Sequence, residues 1–321
     1  MSAKSLTQLA STCGVGNSPF FQKVVEQARV LAKIPRPILI RGERGTGKEL
    51  LARYIHQQSE RAENAYVVVN CAAFQEDLFV AEMFGREKGA YTGALDSKPG
   101  KLELADRGTL FLDEIANMNR TVQEKLLRVI EYQTFERLGS NRSIEVDVRI
   151  IAATNADLEK MMENSEFLPD LHDRLSFAEI TLPPLRKRRE DIPALIEYFI
   201  RQLHQEIPNL EPKQFTESAI SELQAYHWPG NIRQLKNIIE RLYISDEDGI
   251  IQATELPLEI TSVEPLRGNF YEKVMAYEKT LLLTALKDHN GNQRAAAESL
   301  GMTYDQFRHF YKKYHLDELL V

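Results

Sequence analysis

The chain lacks the features that mark membrane, secreted and metal-held proteins. No apolar run approaches the roughly 18–20 residues that span a bilayer. The opening MSAKSLTQLAS has no apolar centre of a secretory signal. Cysteine is nearly absent: Cys13 and Cys71 stand far apart in no ligand spacing, which excludes a disulfide framework and a cysteine-based zinc site. The histidines (His56, His172, His204, His227, His289, His309 and His315) form no ligand cluster. A reduced cytoplasm is the expected home, with no membrane insertion and no structural metal. Basic charge is not in excess either. The formal net charge is −7, which argues against a surface coated in nucleic-acid contacts. Internal repeats and low-complexity tracts are missing.

What is present is an ordinary globular composition, 43% hydrophobic and 27% charged over 321 residues, long enough for two or three domains. The charge is unevenly spread. From 245 to 266 there are six acids (Asp246, Glu247, Asp248, Glu255, Glu259 and Glu264) and no base. From Arg267 onward bases slightly outnumber acids, so DNA contact is expected to be local and C-terminal. Short β-branched or apolar runs at 38–40, 66–70, 109–113 and 146–153 alternate with helix-like stretches such as 122–132. That alternation predicts an α/β fold with a parallel sheet covered on both faces. Pro183-Pro184 and the basic run 186–189 break it. Helical spacing follows from 191 to 243. The expected division is an α/β subdomain (1–180), a helical lid (181–245), an acidic linker (246–267) and a helical C-terminal domain (268–321).

The chemistry lies in two patterns. Gly42-Glu43-Arg44-Gly45-Thr46-Gly47-Lys48-Glu49 follows an apolar strand and opens a helix. Glycines there let backbone N–H groups cradle phosphate, and the lysine reaches the β- and γ-phosphates. The generic motif has Ser or Thr after the lysine to hold magnesium, and here Glu49 stands in that place. About 65 residues on, the apolar strand 109–113 ends in Asp113-Glu114. Such a pair supplies one carboxylate for Mg2+ and one to polarise the attacking water. Asn155, at the end of another apolar strand, is a candidate sensor of the γ-phosphate.

Between these halves lies Gly89-Ala90-Tyr91-Thr92-Gly93-Ala94, a segment with little to bury and able to reach a partner. Together with ADRGTLFLDE, ATNADL, LPPLRKRREDI and HWPGNIRQLKNIIER, it resembles the central domain of sigma-54-dependent transcription activators, an AAA+ ATPase family, over about 14–245. The C-terminus is similar to their Fis-type helix-turn-helix. The family usually has Phe where this chain has Tyr91, and it carries Glu after the lysine.

The resemblance implies ATP as substrate, bound by Gly42, Glu43, Arg44, Gly45, Thr46, Gly47, Lys48 and Glu49, with Mg2+ on Asp113. Asn70 would hold Glu114 in a switched orientation until the partner engages. Asn155 would act as sensor, and Arg233 would sense nucleotide from the lid. Gly89, Ala90, Tyr91, Thr92, Gly93 and Ala94 would touch sigma-54, supported by Arg137 in a second surface loop. Two arginines commonly act in trans from Phe-Arg-x-Asp-Leu-x-x-Arg. Here Leu168 replaces the first, so Arg174 alone is the expected finger in a ring, dimer to hexamer. A salt bridge from Arg174 to Asp170 or Asp173 is the alternative. Few residues precede the ATPase fold, so no switching module in cis is expected. Among members without one, the likeness is nearest to those serving phage-shock (membrane-stress) operons, where an inhibitor binds the ATPase domain in trans.

At the C-terminus, 291–302 reads as a helix ending at a Gly turn, and Thr303 caps the next helix, Tyr304 to Tyr314. Ala296, Leu300, Phe307 and Tyr311 are spaced as core. Thr303, Tyr304, Gln306, Arg308, His309 and Lys312 are the candidate contacts to double-stranded enhancer DNA, with dimerisation through the preceding helix (270–286) presenting two readers. A helical protein-binding module, an AAA+ remodeller of another complex and a regulator with a vestigial ATPase stay open as alternatives.

Overall fold

The computed structural model describes residues 16, 18–72, 76–90, 96–207, 210–245, 249–261, 270–289, 291–314 and 316. Tyr91, Thr92, Gly93 and Ala94, expected to touch sigma-54, lie outside them. The chain divides into two compact units, Met1–Gln252 and Ala253–Val321.

The first unit is built on five parallel strands in the order β2-β3-β6-β1-β7: β1 Ile38–Arg41, β2 Tyr66–Asn70, β3 Thr109–Asp113, β6 Arg149–Thr154 and β7 Ala178–Thr181. The alternation of side chains along each strand assigns them to two cores. Leu39, Val69, Leu110, Leu112, Ile150 and Ala152 point to one face. Ile38, Ile40, Phe111, Ile151, Ala153 and Ile180 point to the other. The first face packs Val122, Leu126 and Val129 of the helix Arg120–Tyr132. The second packs Phe21, Val24 and Ala28 of the helix Pro19–Ala32 and Leu51, Ala52 and Ile55 of Lys48–Gln57. Each large apolar side chain so buried stabilises by about 1.5–3 kcal/mol.

The predicted run 146–153 divides in the structure. β6 begins only at Arg149, because the Asp147 carbonyl is taken by Arg107 N–H and by Arg61 Nη1, both at 2.8 Å. Ahead of it, β4 (Thr134–Glu136) and β5 (Ser143–Glu145) form an antiparallel hairpin that periodicity missed because each strand has three residues. Arg149 is buried; its guanidinium donates to the Ala32 and Leu31 carbonyls at 2.6 and 2.9 Å. It thereby closes the C-terminus of the helix Pro19–Ala32, the end where a cation is favoured.

Helices Ile192–Glu206, Glu217–Ala225 and Asn231–Ser245 follow the sheet. They are joined by a small parallel pair, β8 (Gln214–Phe215) and β9 (Ile250–Ile251). β9 falls inside the segment read as a linker from its acidity. Ile251 is fully buried against Leu203 and Tyr243, so burial of one apolar residue overrides the charge of its neighbours.

The second unit packs Phe270–Asp288, Gln293–Ser299 and Tyr304–Lys313 around Leu282, Leu286, Ala296, Phe307 and Leu316. Leu300 and Tyr311 are partly buried against this core.

Candidate functional site

β1 runs straight into Gly42–Gly47, and the helix Lys48–Gln57 starts on the last glycine. Gly45 and Gly47 hold φ of 75° and 100°, left-handed values that a β-carbon penalises. The loop thereby turns onto the helix N-terminus, whose first N–H groups lack partners within the helix. Lys48 is buried, and its Nζ donates to the carbonyls of Gly42 at 2.8 Å and Glu43 at 3.1 Å. Thr46 Oγ1 donates to the same Glu43 carbonyl at 2.8 Å. Burial lowers the Lys48 pKa from its ordinary value; Asp113 and Glu114 oppose that, while Arg233 and Arg44 add to it.

Asp113 ends β3 half-buried, and its carboxylate accepts the Glu114 N–H at 3.0 Å. Burial raises its pKa, against the pull of Lys48. Glu114 sits in left-handed backbone at φ 56°. Its nearest cation is Arg44, at 3.8 Å. A half-buried carboxylate at a strand end is the kind of oxygen donor that holds Mg2+ together with phosphate oxygens, so Asp113 fits that ion. An apolar hollow lined by Phe21, Leu50, Leu182, Leu195, Phe199 and Ile232 adjoins Gly47. Those side chains suit a flat base. Nothing in the sequence singles them out, because apolar spacing does not distinguish packing from a pocket.

The lid closes over the loop. Ile232 N–H donates to Gly45 O at 2.9 Å. Asn231, fully buried at φ 52°, donates to Arg44 O at 3.0 Å and accepts from Leu185 N–H at 2.8 Å. A β-carbon on Gly45 would lie 2.3 Å from Gly230 O and 3.1 Å from Arg233 Cβ. Arg233 is therefore brought against the loop.

The structure places the remaining candidates as follows. The Glu43 carboxylate is taken by Arg186, at 2.5 and 2.7 Å, and by Asn231 at 3.1 Å. A carboxylate so engaged, and repelled by phosphate, leaves Glu43 only its backbone for nucleotide. Glu49 is exposed, 3.8 Å from Arg53. Asn70 Oδ1 accepts from Ala72 N–H at 2.8 Å, and among the described residues no hydrogen bond joins Asn70 to Glu114. The local turn after β2 satisfies that amide instead. Asn155 is exposed at the end of β6. Arg174 pairs with Glu131 at 2.9 Å, not with Asp170 or Asp173, because Glu131 on the helix Arg120–Tyr132 packs alongside. Leu168 is buried in the core, an environment closed to arginine.

Gly89 and Ala90 stand on an arm whose base is closed by reciprocal bonds between Arg86 and Lys98, at 3.0 and 2.9 Å. Glu87 N–H donates to Leu138 O and Leu138 N–H to Gly85 O, both at 3.0 Å. Arg137 spans the two flanks, donating to Glu87 at 2.8 Å and Ser97 at 3.3 Å. From Gly100 the chain enters the helix Lys101–Leu104 and then β3, which ends at Asp113.

In the second unit Thr303 and Gln306 cap each other: Gln306 N–H donates to Thr303 Oγ1 at 3.3 Å and Gln306 Oε1 accepts Thr303 N–H at 2.9 Å. Both candidate DNA contacts thus have a structural duty at the helix start. Tyr304 lies under Arg294, 5.3 Å from guanidinium to ring. Arg308, His309 and Lys312 share the exposed face.

Comparison with known proteins agrees with this arrangement. The Sigma-54 interaction domain matches residues 15–181, the AAA+ ATPase lid domain 186–269, and the bacterial regulatory protein Fis family 275–314. The chain is 45% identical to the Psp operon transcriptional activator of Escherichia coli over 94% of its own length and 98% of that protein. It is 42% identical to nitrogen fixation protein AnfA of Azotobacter vinelandii over 90% of its length, but spans only 55% of that relative. NtrX from Brucella abortus in complex with ATP superposes with a TM-score of 0.70 at 38% identity, covering 93% of this chain and 68% of that one. Phosphate loop, acidic strand end, lid and terminal helix-turn-helix stand here in that family's order: the chain belongs to the sigma-54-dependent transcription activators, AAA+ ATPases with a Fis-family DNA-binding domain.

Proposed function

We propose that this chain hydrolyses ATP in the hollow beneath its lid and uses the energy to press the segment 89–94 against sigma-54 RNA polymerase, opening promoters from DNA-bound sites. The carrying observation is the continuity of the arm with the acidic strand. The arm's return flank leads into the helix Lys101–Leu104 and β3, so a displacement at Asp113-Glu114 would pass along that stretch to the arm's base at Arg86 and Lys98. The base would sit among Phe21, Leu182 and Ile232. Lys48 Nζ would exchange the Gly42 and Glu43 carbonyls for phosphate oxygens. Asp113 would hold Mg2+, which neutralises developing charge when bound. Glu114 would accept a hydrogen bond from the water that attacks the γ-phosphorus as the bond to the bridging oxygen breaks. Asn155 and Arg233 would report the γ-phosphate, and Arg174 of a neighbouring copy would complete the site in a ring. Arg308, His309 and Lys312 would meet enhancer DNA. Membrane-stress genes are the proposed targets, with a trans-acting inhibitor of the phage-shock type and a cytoplasmic setting.

The test is capture of sigma-54 by the full chain with ADP and aluminium fluoride. Capture by the wild type and its loss in Thr92→Ala are expected. Equal capture by both proteins would sink the coupling.

A further inference from the structure

The phosphate loop and the lid are tied by one polar junction that the hydrolysis scheme does not use. Arg186 lies in the single turn Leu185–Lys187, directly after Pro183-Pro184. Its two terminal nitrogens reach the two oxygens of Glu43, at 2.7 and 2.5 Å. A forked pair of this kind fixes direction as well as distance. Asn231 completes it. Its Nδ2 donates to Glu43 Oε2 at 3.1 Å and to Arg44 O at 3.0 Å, while its Oδ1 accepts Leu185 N–H at 2.8 Å. The amide thus ties loop, lid entry and the helix Asn231–Ser245 at one buried point. Two residues along that helix stands Arg233.

We propose that Glu43 is a positioning residue: through Arg186 and Asn231 it docks the lid on the phosphate loop, and so sets where Arg233 meets the γ-phosphate. The inference rests on the reading of Arg233 as a nucleotide sensor. Its geometry does not, since the clamp joins protein groups alone. The neighbouring contacts have little slack. Ile232 N–H already reaches Gly45 O at 2.9 Å, and the space between Gly45 and Gly230 admits no β-carbon. Releasing Glu43 leaves the lid on that narrow backbone contact and on the carbonyl bonds from Asn231 to Arg44 O and from Arg188 to Thr46 O, without the ion pair that holds Arg233 in place. The arginine paired with Glu43 also holds its carboxyl down to about 2, so the clamp stays charged throughout the neutral range.

The test uses the full chain carrying Glu43→Gln, Arg186→Gln or both, with Arg233→Ala alongside. Hydrogen exchange at the Ile232 amide reads lid docking, and the ratio of ATP to ADP affinity reads the sensor. Each clamp variant is expected to speed Ile232 exchange and to lower the ATP-to-ADP ratio about tenfold, a shift of about 1.4 kcal/mol. The double variant is expected to be no worse than either single one, because both remove the same contact. Unchanged Ile232 exchange overturns the clamp. Equal losses of ATP and ADP affinity overturn it also, assigning Glu43 to building the loop itself. If exchange rises and only Arg233→Ala moves the ratio, the link from clamp to sensor is wrong. If exchange rises and Arg233→Ala leaves the ratio unmoved, the sensor reading fails, and the docking role of Glu43 stands on the exchange data.

Discussion

Arg137 grips Glu103 by two bonds, from Nε at 3.0 Å and from Nη2 at 2.6 Å. Both side chains are mostly buried, 22% and 18% exposed. Glu103 sits on the helix between the arm and β3, and Arg137 also holds Glu87 on the outgoing flank. One guanidinium therefore bridges the arm's root to the segment that leads to the acidic pair.

Arg137→Ala removes that bridge and leaves two carboxylates facing each other. We expect ATP binding to persist and sigma-54 capture to fall about tenfold, within the about 0.5–2 kcal/mol that mutations along a coupling network produce. Capture at the wild-type level would show that the arm is not steered from its root.

Gly45→Ala and Gly89→Ala make a matched pair, since both glycines have positive φ, 75° and 83°. The first would drive a methyl against Gly230 O, while the second meets nothing within 4 Å. We expect Gly89→Ala to lose about 1–2 kcal/mol in urea unfolding. Gly45→Ala should lose more and weaken ATP binding. Equal losses would mean that the lid does not close on the loop.

Arg174→Ala is expected to bind ATP normally and to slow hydrolysis by about 10³-fold or more, the size of an arginine-finger effect. Mixing it with Lys48→Ala, which keeps Arg174 but not the phosphate contact, should restore partial turnover. Turnover near wild type in Arg174→Ala alone refutes the finger.

His56 is buried, with Nδ1 2.9 Å from Thr109 Oγ1. Burial lowers its pKa from the ordinary 6.5, and Arg149 and Arg53 add to this. The unfolded chain therefore takes up this proton first as pH falls. Stability is held above 6.5 and lost as pH drops from there towards the depressed folded value. Melting temperatures from pH 7.5 to 5.5 are expected to decline less in His56→Gln than in the wild type. Parallel declines would remove His56 as the cause.

Arg308→Ala and Lys312→Ala are each expected to reduce the slope of log affinity against log salt by about 1 in DNA binding. An unaltered slope in both would place the DNA contact elsewhere.

The α/β sheet and its helices were legible because strands 38–40, 66–70 and 109–113 are apolar on both sides, as a doubly covered sheet requires. The β4–β5 hairpin and β9 were not, since two or three residues carry no period. Lys48, Asp113 and Glu114 could be named as candidates from their motifs. The partners that Glu43, Asn70 and Arg174 meet could not, because each is distant in the chain or supplied by a local turn: Arg186, Ala72 N–H and Glu131.

By itself the sequence determined the chemistry the chain can carry: a glycine path to a lysine, acids ending an apolar strand, and a segment with nothing to bury between them. These are local properties, set by residue type and spacing along one stretch. Only the tertiary structure decided which charges meet. It brought Arg186 to Glu43 and Arg137 to Glu103, and it buried Leu168 where the family's pattern has arginine. Hydrogen bonding between distant residues depends on ångström-scale placement, which the packing of sheet and helices supplies and spacing along the chain does not.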